Sequence, residues 1–583
     1  MTGIHDSDGP ACSTLARRLR PGGLGLAILL NTLVVGGCGL TLSSEARVEN
    51  NCSSNADCPG ATCDVGLGMC VSPAEETLRI GLEITPPAGP TAVSAATHSL
   101  GPFDIDGPED SLNLMLPAPI KVVGTVRSPG SPDPVGATVR FQRPGNFVGA
   151  RAVDIEARTT AEPAIVEDGA EADYSTELVP DLDYDIVVEP AGEWESRYPP
   201  LHFSHSIPGG GDVIRIDIDY PDSLEEVVGY VIGSMDAPVD GLSIWAVDAD
   251  TGERVSSTAV TGESEDLGAG EFSILLSPGV TEASYRIRIG TGETTTSPTI
   301  FADPRNAFPD ARGYKRILVP MFTPVCYRGT VELGDTGEVA PEASLTFTSR
   351  NVIEEDLGLR GTFRTTIVTE TDGSFEAQLL PGTYEVLVTP PVDHELERFG
   401  VLFETTFQIL VEGNPGECVQ GQLFTLPERA RVGGTVRTAD GRLMGGAQVT
   451  ASALGRALDE LSAARYNRTG DTATDPTGQF NLPLDVGVYD LFIKPPDESD
   501  FPWIVRPDLI IGSSDPTYSD IYQLSAPVPV SGTITGVTGD MVGTEIRAFA
   551  VVTSADGAER SVAVGRTLVE EDGSFRLLLP ARL

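Results

Sequence analysis

Arg328-Gly329-Thr330-Val331, followed by Thr371-Asp372-Gly373-Ser374-Phe375 and then Pro381-Gly382-Thr383-Tyr384, decides how this chain folds. The first segment reads as a short strand. Asp372-Gly373 supplies the positive φ angles of a tight hairpin, and the Phe after it points into a core. Tyr384, Val386 and Val388 then alternate with polar residues, the period of a strand with one buried face. The opening signature returns as Val123-Gly124-Thr125-Val126, Val228-Gly229-Tyr230-Val231, Gly433-Gly434-Thr435-Val436 and Ser531-Gly532-Thr533-Ile534, at intervals of 105, 100, 105 and 98 residues. A second alternating strand follows each copy: Ala137, Val139, Phe141; Leu242, Ile244, Ala246; Ala343, Leu345, Phe347; Ala447, Val449, Ala451; Thr544, Ile546, Ala548. The hairpin and the tyrosine strand recur as well, through Asp572-Gly573-Ser574-Phe575 and through Tyr184, Tyr285 and Tyr489.

A repeat of about 100 residues is a whole domain, so the pattern predicts a string of sandwiches and not a solenoid. Six or seven short strands per copy, with turns every 8 to 12 residues, give an all-β chain of tandem antiparallel β-sandwiches of transthyretin or Ig-like type. The boundaries expected are 121–221, 222–324, 325–428, 429–527 and 528–583, preceded by a partial β unit over 76–120. The fifth copy ends at Pro580-Ala581-Arg582-Leu583, where repeat three continues into Thr383-Tyr384, and is expected to be incomplete. Leu78 to Ile84 and Leu112 to Leu116 look like the half it lacks. A truncated last copy beside a separate N-terminal fragment is the expectation; the alternative is completion of one molecule's tail by another's front half. Leu454, Leu458 and Leu461, at i, i+4 and i+7, predict one helix over 453–465.

The order Gly-Thr-Val, Gly-Ala-x-Val, Thr-Asp-x-x-Gly-x-Phe, Pro-Gly-x-Tyr resembles the carboxypeptidase regulatory-like domain, a transthyretin-like sandwich grouped with carbohydrate-binding-like folds. The resemblance spans most of residues 120–583. It implies an accessory domain, not the zinc-bearing catalytic part of a carboxypeptidase.

Length and charge bound the function. The 583 residues correspond to about four domains on a soft prior of roughly 150 residues each. With 39 basic against 85 acidic residues the formal charge is −46, which repels phosphate backbones, so nucleic acid is not an expected partner. Arg17, Arg18 and Arg20 precede an apolar run from Leu24 to Val35, too short to span a bilayer and suited to a secretory signal over residues 1–37. The run ends in Val35-Gly36-Gly37-Cys38, which resembles the lipobox of bacterial lipoproteins. By that resemblance Cys38 carries lipid, and the chain is tethered to the bacterial cell envelope, at the outer membrane, with the lipid as its membrane contact.

Residues 38–75 then form a linker with a Cys-rich module. Cys52, Cys58, Cys63 and Cys70 lie in a segment too short for an apolar core and lack the C-x2-C knuckles of zinc sites, so two disulfides are expected, in any of three pairings. Cys326 and Cys418 flank the third repeat and are expected to bridge its first and last strands.

No catalytic residue, metal site or cofactor is expected: HExxH, GxSxG and Walker motifs are missing from the sequence. His202 and His205 lie at i, i+3 in a strand, on opposite faces. Asp104 to Asp110 and Asp248 to Glu253 superficially look like calcium loops but read as turns. Trp245 faces away from the core set of its strand. It is the candidate ligand-binding residue, able to stack on a sugar ring or to pack on a neighbouring domain. Trp194 and Trp503, both after the tyrosine strand, read as plugs. The functional expectation is a non-enzymatic surface array, structural or adhesive, strung out end to end, with a surface protein or a polysaccharide as partner; the alternative is a carbohydrate-binding protein.

Overall fold

The computed structural model describes residues 48–583, apart from 73–76, 88–96, 109–110, 161–163, 166–170, 211–212, 234–236, 263–266, 292–298, 306–312, 319–324, 335–336, 352–358, 381, 392–397, 410–417, 457–461, 513–516, 536–540 and 555–556. Five β-sandwiches account for most of this length, each with its own apolar core. The third shows the plan most simply. Its first strand, Val325–Leu333, pairs with the hairpin strand Ser374–Leu379 on one side and with Val419–Leu426 on the other. The opposing sheet runs Arg364–Val368, Ser344–Asn351, Gly382–Thr389, Leu402–Ile409. The alternating residues predicted to face inward do so: Ala343, Leu345, Phe347, Tyr384, Val386 and Val388 are all at 0% exposure. Cys326 and Cys418 are joined across this body, and the N-terminal module carries Cys52–Cys63 and Cys58–Cys70.

Two recurring residues explain the repeat. The tyrosine hydroxyl donates to a backbone carbonyl four or five residues upstream, Tyr184 to Val179 at 3.3 Å, Tyr384 to Leu380 at 2.7 Å and Tyr489 to Asp485 at 3.0 Å, so the ring fills the core while its polar end ties down the preceding turn. The glycine of the opening signature lies under the last strand of its unit, which runs parallel to the first. Each antiparallel sandwich therefore carries parallel pairing between its first and last strands. A Cβ there would stand 1.8 Å from the Ile216 carbonyl oxygen at Gly124, 2.6 Å from that of Lys315 at Gly229, and 2.4 Å from that of Gln422 at Gly329. Only glycine lets the two backbones approach so closely.

The fifth copy obeys the same rule, with its last strand drawn from the other end of the chain. Gly532 lies under Leu112, whose carbonyl oxygen would be 1.9 Å from a Cβ, and Leu114–Met115 pairs in parallel with Ile534 and Thr535. Leu78–Thr85 pairs antiparallel with Glu545–Thr553 and is flanked by His98–Ile105. Leu78, Ile80, Leu82 and Ile84 are buried in one cluster with Ile546, Ala548, Val564, Phe575 and Leu577. Residues 78–116 and 528–583 thus build one sandwich, as a circular permutation of the other four. The separate N-terminal fragment and the incomplete last copy of the sequence reading are a single body, completed within the same chain.

The helix predicted over 453–465 does not form among the described residues. Gln448–Ala453 is strand, Leu454 N–H donates to the Val488 carbonyl at 3.0 Å and so extends the ladder, and only a 3-10 turn, Ser462–Tyr466, follows. Leu458 and Leu461 lie outside the described residues.

Contacts between successive bodies close on themselves. The first and second meet through Thr258 N–H to the Glu195 carbonyl (2.8 Å) and the Ser277 hydroxyl to the Pro200 carbonyl (2.6 Å). Thr299–Ala302 of the second takes Leu359–Thr362 of the third as an extra strand. Arg468 of the fourth reaches the Phe399 carbonyl of the third at 2.6 Å. Arg560 of the fifth donates to Asp490 (2.7 Å) and Asp508 (3.0 Å) of the fourth. The fifth returns to the first: Phe549 packs on Phe147 at 6.1 Å, and Asn146 donates to the Ser99 carbonyl. An end-to-end string would leave the first and last bodies apart, and here they touch.

Gly532→Ala is expected to destabilise the protein by roughly 1–3 kcal/mol, because the added methyl drives Leu112 off the strand. Gly433→Ala, where the nearest atom to a Cβ is 3.3 Å away, is the control. Urea midpoints compare the two; equal, small shifts would count against this packing.

Candidate functional site

The residues singled out by sequence lie in different places. Cys38 is outside the described residues. The two-disulfide module is held at the junction of the fourth and fifth bodies: Asn50 N–H donates to the Ser499 carbonyl (2.9 Å), its side-chain amide to the Asp500 carbonyl (3.2 Å), and Ser72 N–H to the Pro527 carbonyl (2.9 Å). A segment with no core of its own is thereby fixed beside the sandwich that the following 40 or so residues complete.

Trp245 lies in Leu242–Asp248, whose alternate residues Leu242, Ile244 and Ala246 are buried, so its indole is on the outer face. Its cross-strand partner is Arg288, and the guanidinium carbon stands 4.0 Å from the ring centroid. One face of the indole is therefore covered by a cation. Burial lowers the Arg288 pKa from its ordinary value. His202 and His205 are exposed on Leu201–Ile207. Asp248 accepts the N–H groups of Asp250 and Thr251, each at 2.9 Å, so this acidic loop is an Asx turn whose carboxylate serves the backbone. Trp194 plugs the first sandwich beside Tyr198.

Two clefts occupy seams between bodies. That between the first and second, about 570 Å³, is lined by Asp217, Asp219, Asp248 and Glu253. Asp217 there already accepts from Thr125 and Arg215. The second cleft, about 610 Å³, lies between the outer faces of the fourth and fifth bodies. Lys494, Phe492 and Trp503 come from one side, Arg547, Phe549 and Arg566 from the other. The Lys494 ammonium lies 4.4 Å from the Trp503 ring centroid and 5.8 Å from that of Phe492. Burial, and then the like charges of Arg566 and Arg547, push its pKa below the ordinary lysine value. Sequence reading did not find this group. Its only linear trace is that Lys494, Arg547 and Arg566 are cations on strands of a strongly acidic chain, and their meeting depends on how two sandwiches dock.

No protein-family model matches the sequence, and no curated protein does. Solved structures with partial likeness include a streptococcal ancillary pilin, at 10% identity over 53% of this chain and 99% of that one, with a TM-score of 0.20. The major pilin subunit of Bacillus cereus is 10% identical, covering 52% and 100%, with a TM-score of 0.15. A pilus adhesin of Lactobacillus rhamnosus GG is 12% identical, covering 67% and 57%, with a TM-score of 0.13. Likeness at this level defines no common assembly or activity.

One seam holds a buried histidine. His98, on the strand that meets the first body, is 6% exposed, and its Nε2 has no hydrogen-bond partner. Burial, with Arg143 nearby, lowers its pKa to about 4. An unfolded histidine binds a proton more readily than this one, so the stability it contributes is complete above pH 6.5 and is lost as the pH falls towards 4, by at most about 3 kcal/mol. Denaturation midpoints at pH 7 and 4.5 should therefore converge more in His98→Leu than in the wild type; parallel losses would contradict this.

Proposed function

We propose that the chain is a non-enzymatic, exported lipoprotein, anchored through Cys38 at the outer membrane of a bacterial envelope, where its sandwiches form a structural or adhesive surface array. We further infer that the sandwiches are carboxypeptidase regulatory-like domains. The observation that carries the reading is the completion of the fifth sandwich by residues 78–116. The segment that follows the disulfide module is thereby part of a folded body and not a free linker.

All six described cysteines are in disulfides, so none is a thiol nucleophile. The acidic surface favours solubility and suits an exposed face of the envelope.

The test is surface localisation in cells. Wild-type chain should stay with intact cells, be shaved from them by added protease, and partition into detergent. Cys38→Ser should appear in a soluble fraction with its fold unchanged. Retention of Cys38→Ser in the membrane fraction, or protection of the wild type from external protease, would overturn the reading.

A further inference from the structure

The seam between the fourth and fifth bodies gathers three cations, Lys494, Arg547 and Arg566, along one cleft. Lys494 is one of only three lysines in the chain, with Lys121 and Lys315. Lys315 is paired with Glu282. Lys494 has no carboxylate partner among the described residues. Three acids attend the two arginines: Arg547 pairs with Glu545 at 3.0 Å with Glu83 opposite it on the next strand, and Arg566 with Glu545 at 3.7 Å and at 3.9 Å with Asp497, which itself lines the cleft. The Lys494 ammonium rests over the Trp503 and Phe492 rings, on the cleft that Arg547 and Arg566 also line, and has room for an anionic partner. In a chain of net charge −46, this placement of cations needs a cause.

The remaining walls narrow the class of anion. An inorganic ion has no use for aromatic surface, yet Trp503, Phe492 and Phe549 line the same cleft. Gln448, Thr450 and Ser452 sit at alternate positions of Gln448–Ala453, so they share the face that lines it and offer hydroxyl and amide groups. An aromatic wall with an ammonium set over part of it, and polar side groups beside it, fit a sugar that bears a carboxylate. About 610 Å³ is within the usual range for a small-ligand cleft.

We propose that this seam binds an acidic oligosaccharide, with a uronate carboxylate on Lys494, supported by Arg547 and Arg566, and the sugar along the aromatic wall of Trp503, Phe492 and Phe549. The site touches both bodies, so its ligand also locks the seam. This deepens the adhesive reading and rests on it for the biological role, although binding itself is measured independently of location.

The experiment is calorimetric titration of the full chain, in detergent, with trigalacturonate, with a neutral galactose trimer and with inorganic sulfate. Trigalacturonate should bind and alter tryptophan fluorescence, and the neutral trimer should bind at least roughly tenfold more weakly. Lys494→Met and Trp503→Ala should each weaken binding by roughly tenfold, with Lys494→Arg retaining most of it. Unchanged melting temperatures certify that the variants are folded, and added salt should weaken the wild-type complex. Equal binding of the neutral trimer, indifference to Lys494→Met in a folded variant, or sulfate matching trigalacturonate would overturn the proposal. Surface exposure without binding removes the site and leaves the envelope reading; binding by a chain that never reaches the surface does the reverse.

Discussion

A sheet left one strand short exposes both a row of unpaired backbone groups and a slab of apolar core, and neither is tolerated in water. In this protein that constraint falls on the last sandwich. Residues 528–583 supply a first strand, a second pair and a hairpin strand, and lack the tyrosine strand, its neighbour and the parallel closing strand. Leu78–Thr85, His98–Ile105 and Leu114–Met115 fill those places. Four buried aliphatic side chains at Leu78, Ile80, Leu82 and Ile84 are worth roughly 2 kcal/mol each. Against this stands the entropy of closing a long loop, as between Asn113 and Thr533, 420 residues apart, which grows only as the logarithm of its length. Non-local pairing of this kind is intrinsically slow to form.

The other features follow from that closure. Because the fifth body contains sequence from both ends, its neighbours along the chain are the fourth and the first, and it touches each. The disulfide module, lying just before residue 78, is carried to the same junction. The seam of the fourth and fifth bodies is there as a consequence, with Arg560 pinned between Asp490 and Asp508 on one part of it and the aromatic, cationic cleft on another.

Much of this was legible in the sequence. Period-two alternation marks a half-buried strand wherever it occurs, and five returns of one pattern identify five bodies. The glycine signature held more than was read from it. Gly532 stands at the position where every other copy needs glycine to admit a parallel strand, and that alone implies a strand for the fifth copy to admit. The segment that supplies the tyrosine-strand equivalent, Leu78 to Thr85, has no tyrosine, so likeness to the other copies could not assign it. Trp245 was correctly placed on an outer face, but the arginine over its ring comes from a neighbouring strand and is invisible to local pattern. The 610 Å³ cleft was beyond reach for a similar reason: its cations belong to outward positions of two different sandwiches, where the sequence is free of any packing period.

Same-chain completion of the last sandwich is tested most directly by a disulfide trap between Thr85→Cys and Glu545→Cys, residues that face one another across the two paired strands. In dilute, mildly oxidised protein the two sulfurs should join within one molecule and give a monomer of altered mobility on a non-reducing gel. Covalent dimers, or two thiols that stay free, would show that residues 78–116 close some other sheet.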